Sequence, residues 1–280
     1  MNKHLISSKL ISQFSSFLSR EERAPGTIEK YRRDIRSFAS WLNGRAAARE
    51  TAAEWRDYLL KMHYSPVTVN SMLAALNSFF RFAGWDDCRV KFLKVQRRIF
   101  RESGKELSRS EYIRLVNAAR SLGKNRLALI METICSAGIR VSEVQYITVE
   151  AARSGQAEIF MKGKIRTIML SAKLCRKLLK YAKNKKISSG EIFITGSGKG
   201  ISRRQIWAEM KQLCKAAHVE PGKVFPHNLR HLFATAFYNT SRDIVQLADV
   251  LGHASIETTR IYLMTSGTEH RRKLDLLGLA

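Results

Sequence analysis

The chain has 280 residues, of which 45% are hydrophobic, enough for two ordinary domain cores. Lysines and arginines number 49 against 24 acidic residues, a net charge of +25, so polyanions are the expected partners and other cations are excluded. No run approaches 18 apolar residues, the opening MNKHLISSKLISQF holds no long apolar segment, and neither a long basic amphipathic helix nor a lipidation signal is present. A membrane partner is therefore set aside, and a cytoplasmic location is expected.

In chain order, the first half reads as helical. Thr27 opens TIEKYRRDIRSFASWL, with Ile28, Tyr31, Ile35, Phe38 and Leu42 at helical spacing. RAAARETAAEW is a further helical region. Ser65-Pro66 opens PVTVNSMLAALNSFFRFAG, which ends at Gly84, and Val69, Met72, Leu73, Leu76 and Phe80 form its apolar stripe. Residues 1–91 make one helical domain on this reading, and the basic stretch 92–106, FLKVQRRIFRESGKE, a linker. A second domain spans 107–280, its first helix announced by Ser108 and Glu111 at capping-box spacing. The basic excess is shared: residues 1–97 hold 17 basic and 9 acidic residues, and residues 98–280 hold 32 and 15. Such a spread suits two domains clamping a duplex better than one basic tail. Lys30, Arg32 and Arg33 on the first domain's helix are candidate phosphate contacts, with a solvated face an equal alternative. Arg203 and Arg204 sit in the first turn of ISRRQIWAEMKQLC, where positive charge opposes the helix dipole and a phosphate partner would relieve it.

The second domain also carries candidate chemistry. Arg140 lies in CSAGIRVSEV, read as a half-apolar helix, with Glu143 three residues on. QAEIFM and IRTIML read as two short strands joined across Gly163, with Lys162 at the end of the first and Lys164 before the second. His227 and Arg230 in PHNLRH are three apart and share a helix face, behind a proline that suits a helix start. A phosphate there would meet the free N–H groups of a helix N-terminus. His253 follows in LGHAS and Tyr262 in TTRIY. A phosphodiester under attack gathers negative charge on its non-bridging oxygens, which planar arginine forks match two at a time. A phenol, with an ordinary pKa of about 10, is a weak nucleophile that needs a base or a positive field. Arg140 and Arg230 are thus candidate clamps, His227 the base, His253 a second phosphate donor and Tyr262 the nucleophile. Each residue has a plainer reading alone: a surface arginine, a C-capping glycine followed by a satisfied histidine, a core aromatic. The four cysteines, Cys88, Cys135, Cys175 and Cys214, show no CxxC or metal-ligand spacing and read as reduced thiols.

Taken in order, SAGIRVSEV, PHNLRHLFAT and LGHASIETTRIY resemble the three signature boxes of the tyrosine recombinase (phage integrase) family, including the nine-residue step from His253 to Tyr262. The length is similar to that of its compact, Xer-like members. The resemblance implies a mainly α fold with a small β-sheet: a helical core-binding (SAM-like) domain followed by an α+β catalytic domain. It implies a site-specific recombinase in which Tyr262 forms a 3′-phosphotyrosine and frees a 5′-hydroxyl, with Arg140, His227, Arg230 and His253 in the roles above and Glu143 orienting the site. It also implies a hairpin lysine as general acid for the leaving oxygen. Lys162 matches that position, although the turn is one residue shorter than is common, and Lys164 remains a rival. No cofactor or metal is implied. The implied partners are double-stranded DNA and further subunits, in a tetramer on DNA or paired with a second recombinase. The tail TEHRRKLDLLGLA, with Leu274, Leu276, Leu277 and Leu279, would dock on a neighbouring subunit by the resemblance, or on its own domain. A type IB topoisomerase-like nicking–rejoining enzyme and a non-catalytic DNA-binding protein of the same fold are the alternatives. A recombinase exchanges strands between paired sites, whereas a topoisomerase relaxes supercoils.

Overall fold

A computed structural model of the chain describes residues 4–95, 104–161, 164–263, 271–272 and 275–278. The chain divides into two compact units, Met1–Arg97 and Arg98–Ala280. No helix among the described residues is long and apolar enough to cross a membrane.

The first unit packs four helices, α1 (Ser8–Arg20), α2 (Pro25–Leu42), α3 (Arg49–Lys61) and α4 (Pro66–Ala83). Helix α4 starts at the expected Ser65, whose hydroxyl accepts from the Thr68 N–H, and stops at Gly84 in the left-handed region. All five stripe residues of α4 are buried, joined by Ala75 and Phe79, and α2 and α3 contribute Phe38 and Trp55 to the same core. Helix α2 begins at Pro25, two residues before the expected Thr27, because proline's fixed φ suits the first helical position. The linker expected over 92–106 is anchored at both ends. The Asn70 side chain brackets Leu93 by donating to its carbonyl and accepting from its N–H. The Lys105 carbonyl accepts from Asn228 in the second unit, and Leu107 is buried there. Residues 96–103 lie outside the described residues.

The second unit begins with α5 (Arg109–Ser121), capped by the expected reciprocal pair: the Glu111 N–H donates to the Ser108 hydroxyl, and the Ser108 N–H donates to the Glu111 carboxylate. Helix α6 (Asn125–Ala137) is apolar nearly all round and runs through the core, with Leu127, Ile130, Met131 and Ile134 fully buried. A short helix α7 (Val149–Ser154) leads into an antiparallel hairpin of β1 (Gln156–Met161) and β2 (Lys164–Met169), registered from Gln156↔Met169 to Met161↔Lys164. The second strand therefore starts at Lys164, one residue before the expected Ile165. Helices α8 (Ala172–Asn184), α9 (Arg203–Gln212), α10 (Cys214–Ala217), α11 (Pro226–Ser241), α12 (Ile244–Leu251) and α13 (Ile256–Arg260) complete the unit.

Candidate active site

Four segments distant in sequence meet in the second unit: the turn after α6, strand β2, the start of α11, and the chain from the end of α12 to Tyr262. Gly138 ends α6 with φ +63°, and a Cβ there would lie 2.4 Å from the Phe233 ring, so only glycine fits the turn. Arg140 then sits in extended backbone just before a short 3₁₀ turn, Val141–Tyr146, rather than on the expected helix. The glycine two residues earlier breaks α6, which is why a helical reading of CSAGIRVSEV fails.

Glu143 lies under Arg140 with its side chain 2% exposed. Its Oε1 accepts from Arg140 Nη1 at 2.8 Å, and its Oε2 from the Arg140 backbone N–H at 2.7 Å. The second terminal nitrogen of Arg140, Nη2, donates to the Gly252 carbonyl at 3.3 Å. The carboxylate of this i,i+3 pair is thus buried, while the guanidinium it holds stays partly exposed.

Helix α11 starts at Pro226, as its sequence suggests, and carries His227 and Arg230 in its first two turns. His227 is exposed, whereas Arg230 is only 2% exposed. Arg230 Nη1 donates to the Gly138 carbonyl at 2.6 Å, and Nη2 donates to the Leu251 carbonyl at 2.7 Å and to His253 Nε2 at 3.0 Å. Burial and the neighbouring Arg140 lower its pKa, and the Tyr262 hydroxyl beside it acts in the opposite sense.

A guanidinium has no acceptor, so His253 must accept at Nε2 and carry its proton on Nδ1. That proton is donated to the Thr259 hydroxyl, 2.9 Å away on the buried side of α13. Burial first, then the cations Arg230, Arg140 and Arg166, push the His253 pKa down to about 4. Lost hydration, then Arg230 and Arg140, lower that of His227 as well. Both imidazoles are neutral at pH 7. Both folded-state values lie below those of the unfolded chain, so the unfolded state binds more protons as pH falls. Their contribution to stability is present above about pH 6.5, the ordinary histidine value, and is lost on acidification towards pH 4. The melting temperature should fall across that window, and more shallowly in His253→Asn; equal slopes for the two proteins would contradict this assignment.

Tyr262 is 4% exposed and packs with Ala234, Leu247 and Leu251. Its ring is stacked near His253 at 5.9 Å between centroids, lies 6.4 Å from His227, and meets His231 edge-on at 4.9 Å. All five residues of the predicted constellation outside the hairpin are therefore gathered in one place. Lys162 lies outside the described residues, and Lys164 opens β2.

Of the other candidate contacts, Arg203 and Arg204 are exposed in the first turn of α9. Arg33 is exposed, and Arg32 pairs with Glu29. Lys30 is held by the buried Asp34 and donates to the Ser71 carbonyl of α4 at 3.1 Å, so it serves the helix bundle. Reasoning from sequence missed Arg166, His231 and Thr259. Arg166 had one signal, its place on the same strand face as Ile168 and Leu170. His231 had another, completing an i, i+3, i+4 set with His227 and Arg230. Thr259 had none.

Arg230, buried and fixed by two carbonyls, thus lies in one place with Arg140, the imidazoles of His227 and His253 and the phenol of Tyr262. Residues 105–268 match the phage integrase family, and residues 11–87 match the family's N-terminal SAM-like domain. The tyrosine recombinase XerA of Thermococcus kodakarensis is 31% identical over 277 residues, covering 95% of this chain and 93% of that protein. Among solved structures, a lambda integrase dimer bound to a COC′ core site superposes with a TM-score of 0.74 at 16% identity, covering 93% of this chain and 96% of that one. A lambda integrase tetramer bound to a Holliday junction gives 0.71 at 17% identity, covering 91% and 76%. The chain belongs to the phage integrase family, the tyrosine recombinases.

Proposed function

We propose that this chain is a site-specific DNA recombinase that cleaves and rejoins DNA through a 3′-phosphotyrosine. The observation that carries the reading is Arg230: a guanidinium buried, held by two carbonyls and set beside the tyrosine. A donor fixed before charge develops stabilises a transition state without reorganising. Arg140 and Arg230 bind the non-bridging oxygens of the scissile phosphate. The Tyr262 oxygen attacks phosphorus, its proton passes to neutral His227, and the bond from phosphorus to the 5′-oxygen breaks. A proton from Lys162 completes the 5′-hydroxyl. One phosphodiester replaces another, so bond energy is conserved and the reverse step reseals the strand.

His253 needs a change of partner before it can serve the phosphate. Its Nε2 accepts from Arg230 in the free protein. An arriving phosphate draws that Arg230 hydrogen to itself and favours the imidazolium. The doubly protonated ring then donates from Nδ1 to Thr259 and from Nε2 to the phosphate.

The partner is double-stranded DNA, met by basic surfaces of both units, which are proposed to be the domains 1–91 and 107–280 joined by 92–106. The active assembly is a tetramer on DNA. The lambda integrase tetramer supports it, as do Leu276 and Leu277 in the tail, exposed at 78% and 59%. Leucines such as these two, which their own unit leaves uncovered, are suited to burial on a neighbour.

The test is to sequence the DNA trapped in a covalent adduct and place two copies of that site on a plasmid. Recombination between the copies is the expected result; relaxation of supercoils without exchange would favour a topoisomerase. The general acid has its own test. Lys162→Ala should cleave a substrate with a bridging 5′-phosphorothiolate at close to the wild-type rate, because sulfur leaves without a proton. Rescue of Lys164→Ala instead would transfer the role.

A further inference from the structure

Arg166 belongs to none of the boxes that mark the family, yet it touches two of the segments that hold them. We infer that Arg166 is a positioning residue for strand cleavage: through Glu143 it aims the Arg140 guanidinium, and through Val250 it fixes the turn that presents His253. The inference rests on the function proposed above.

The Arg166 side chain is 15% exposed and reaches from β2 under the site. Its Nη2 donates to Glu143 Oε2 at 2.8 Å, and its Nη1 to the Val250 carbonyl at 3.3 Å. Oε2 of Glu143 is thus held between Arg166 and the Arg140 backbone N–H, which leaves Oε1 facing Arg140 Nη1. One carboxylate so held gives the phosphate-facing guanidinium a single orientation. The carbonyl of Leu251, next to Val250, accepts from Arg230 Nη2. The same turn is shaped around Arg166: a Cβ on Gly252, which has φ +63°, would lie 2.4 Å from Arg166 Cδ and 2.5 Å from its Nη1. A planar fork holds Glu143 and the Val250 carbonyl in fixed directions from two separate nitrogens, whereas an ammonium offers one nitrogen on a flexible stem.

The arrangement is costly. Burial, opposed by Glu143, lowers the Arg166 pKa to about 10, and its Nε is buried without a hydrogen-bond partner among the described residues. An apolar residue of similar volume would fill the space without an orphaned donor, so packing alone gives no reason for arginine here.

The experiment uses the full chain with a nicked suicide substrate, measuring single-turnover cleavage, DNA affinity and melting temperature for Arg166→Met, Arg166→Lys, Glu143→Gln and the Arg166→Met/Glu143→Gln pair. Arg166→Met should cleave roughly 10- to 100-fold more slowly, the range seen when outer residues orienting a site are lost. Its DNA affinity should stay within about threefold of wild type, because Arg166 does not face the phosphate, and Arg166→Lys should recover part of the rate through Glu143. The double variant should lose little more than Glu143→Gln alone, since both act on one carboxylate. Cleavage by Arg166→Met at the wild-type rate, or losses that multiply in the double variant, would overturn the proposal. Should Arg166→Met fail to fold, Arg166→Lys must still cleave more slowly than wild type, and equality would count against the role. A wild-type protein that forms no adduct at Tyr262 would instead refute the recombinase reading itself.

Discussion

Tyr262→Phe folds, binds DNA with wild-type affinity and forms no covalent adduct: this is the largest effect expected of any single substitution. The ring is 4% exposed, packed with Ala234, Leu247 and Leu251 and in contact with the rings of His227, His231 and His253. Phenylalanine keeps every one of those contacts. It loses only the hydroxyl beside Arg230, so the melting temperature should move by a few degrees at most. Chemistry, by contrast, loses its nucleophile, a change worth about 10⁴-fold or more where a nucleophile has been deleted in other enzymes. A denaturing gel of a suicide-substrate reaction reads the result directly. An adduct band of undiminished intensity would remove Tyr262 from the reaction.

Arg230→Lys should be the next most damaging change that leaves the charge in place. The guanidinium reaches the Gly138 carbonyl, the Leu251 carbonyl and His253 at once. An ammonium on a flexible stem cannot hold all three and still present a planar pair of donors to phosphate. Loss of one preorganised donor typically lowers a rate by about 10²- to 10³-fold, and at least that is expected here. Arg230→Ala should be worse for a second reason. It leaves two inward carbonyls without their donor, at about 1–3 kcal/mol each, so the protein should melt earlier as well as fail to cleave. Comparing the two variants separates geometry from folding: cleavage by Arg230→Lys near the wild-type rate would show that charge alone suffices.

Much of the site could be read from the chain because its residues sit in local patterns. His227 and Arg230 share a helix turn opened by a proline, and Gly252 ends a helix just before His253. Glu143 lies three residues after Arg140, close enough for backbone geometry to bring them together. The plain reading of LGHAS was also physically correct, since Gly252 does cap α12 in the left-handed region and His253 is fully hydrogen-bonded. The same holds for Tyr262, a core aromatic in its packing and the candidate nucleophile in its chemistry. Function here is laid over structural roles that the residues would fill anyway.

What escaped sequence reading was non-local. The contact of Arg166 with Glu143 spans 23 residues and depends on the register of a hairpin, which strand patterning alone does not place against the turn after α6. Thr259 is only six residues from His253, but no pattern in ASIETTR marks which side chain of the short helix α13 turns back to the imidazole. Lys30, read as a candidate phosphate contact, proved to be tied to a buried aspartate one helical turn away, and no feature of KYRRD distinguishes it from its exposed neighbour Arg33. Arg140 was placed on a helix because apolar spacing continues through Ile139 and Val144. Gly138 instead ends α6 in the left-handed region, and the Phe233 ring, nearly a hundred residues away in the chain, leaves no room there for a side chain.

The most direct test is to identify the residue that holds the DNA. The wild-type protein would be trapped on a nicked suicide substrate and digested with protease and nuclease, and the nucleotide-bearing peptide sequenced by mass spectrometry. The expected result is a single modified peptide with a 3′-nucleotide esterified to the Tyr262 oxygen, absent from Tyr262→Phe. A nucleotide on any other side chain, or a linkage to the 5′ end of the cut strand, would contradict the mechanism.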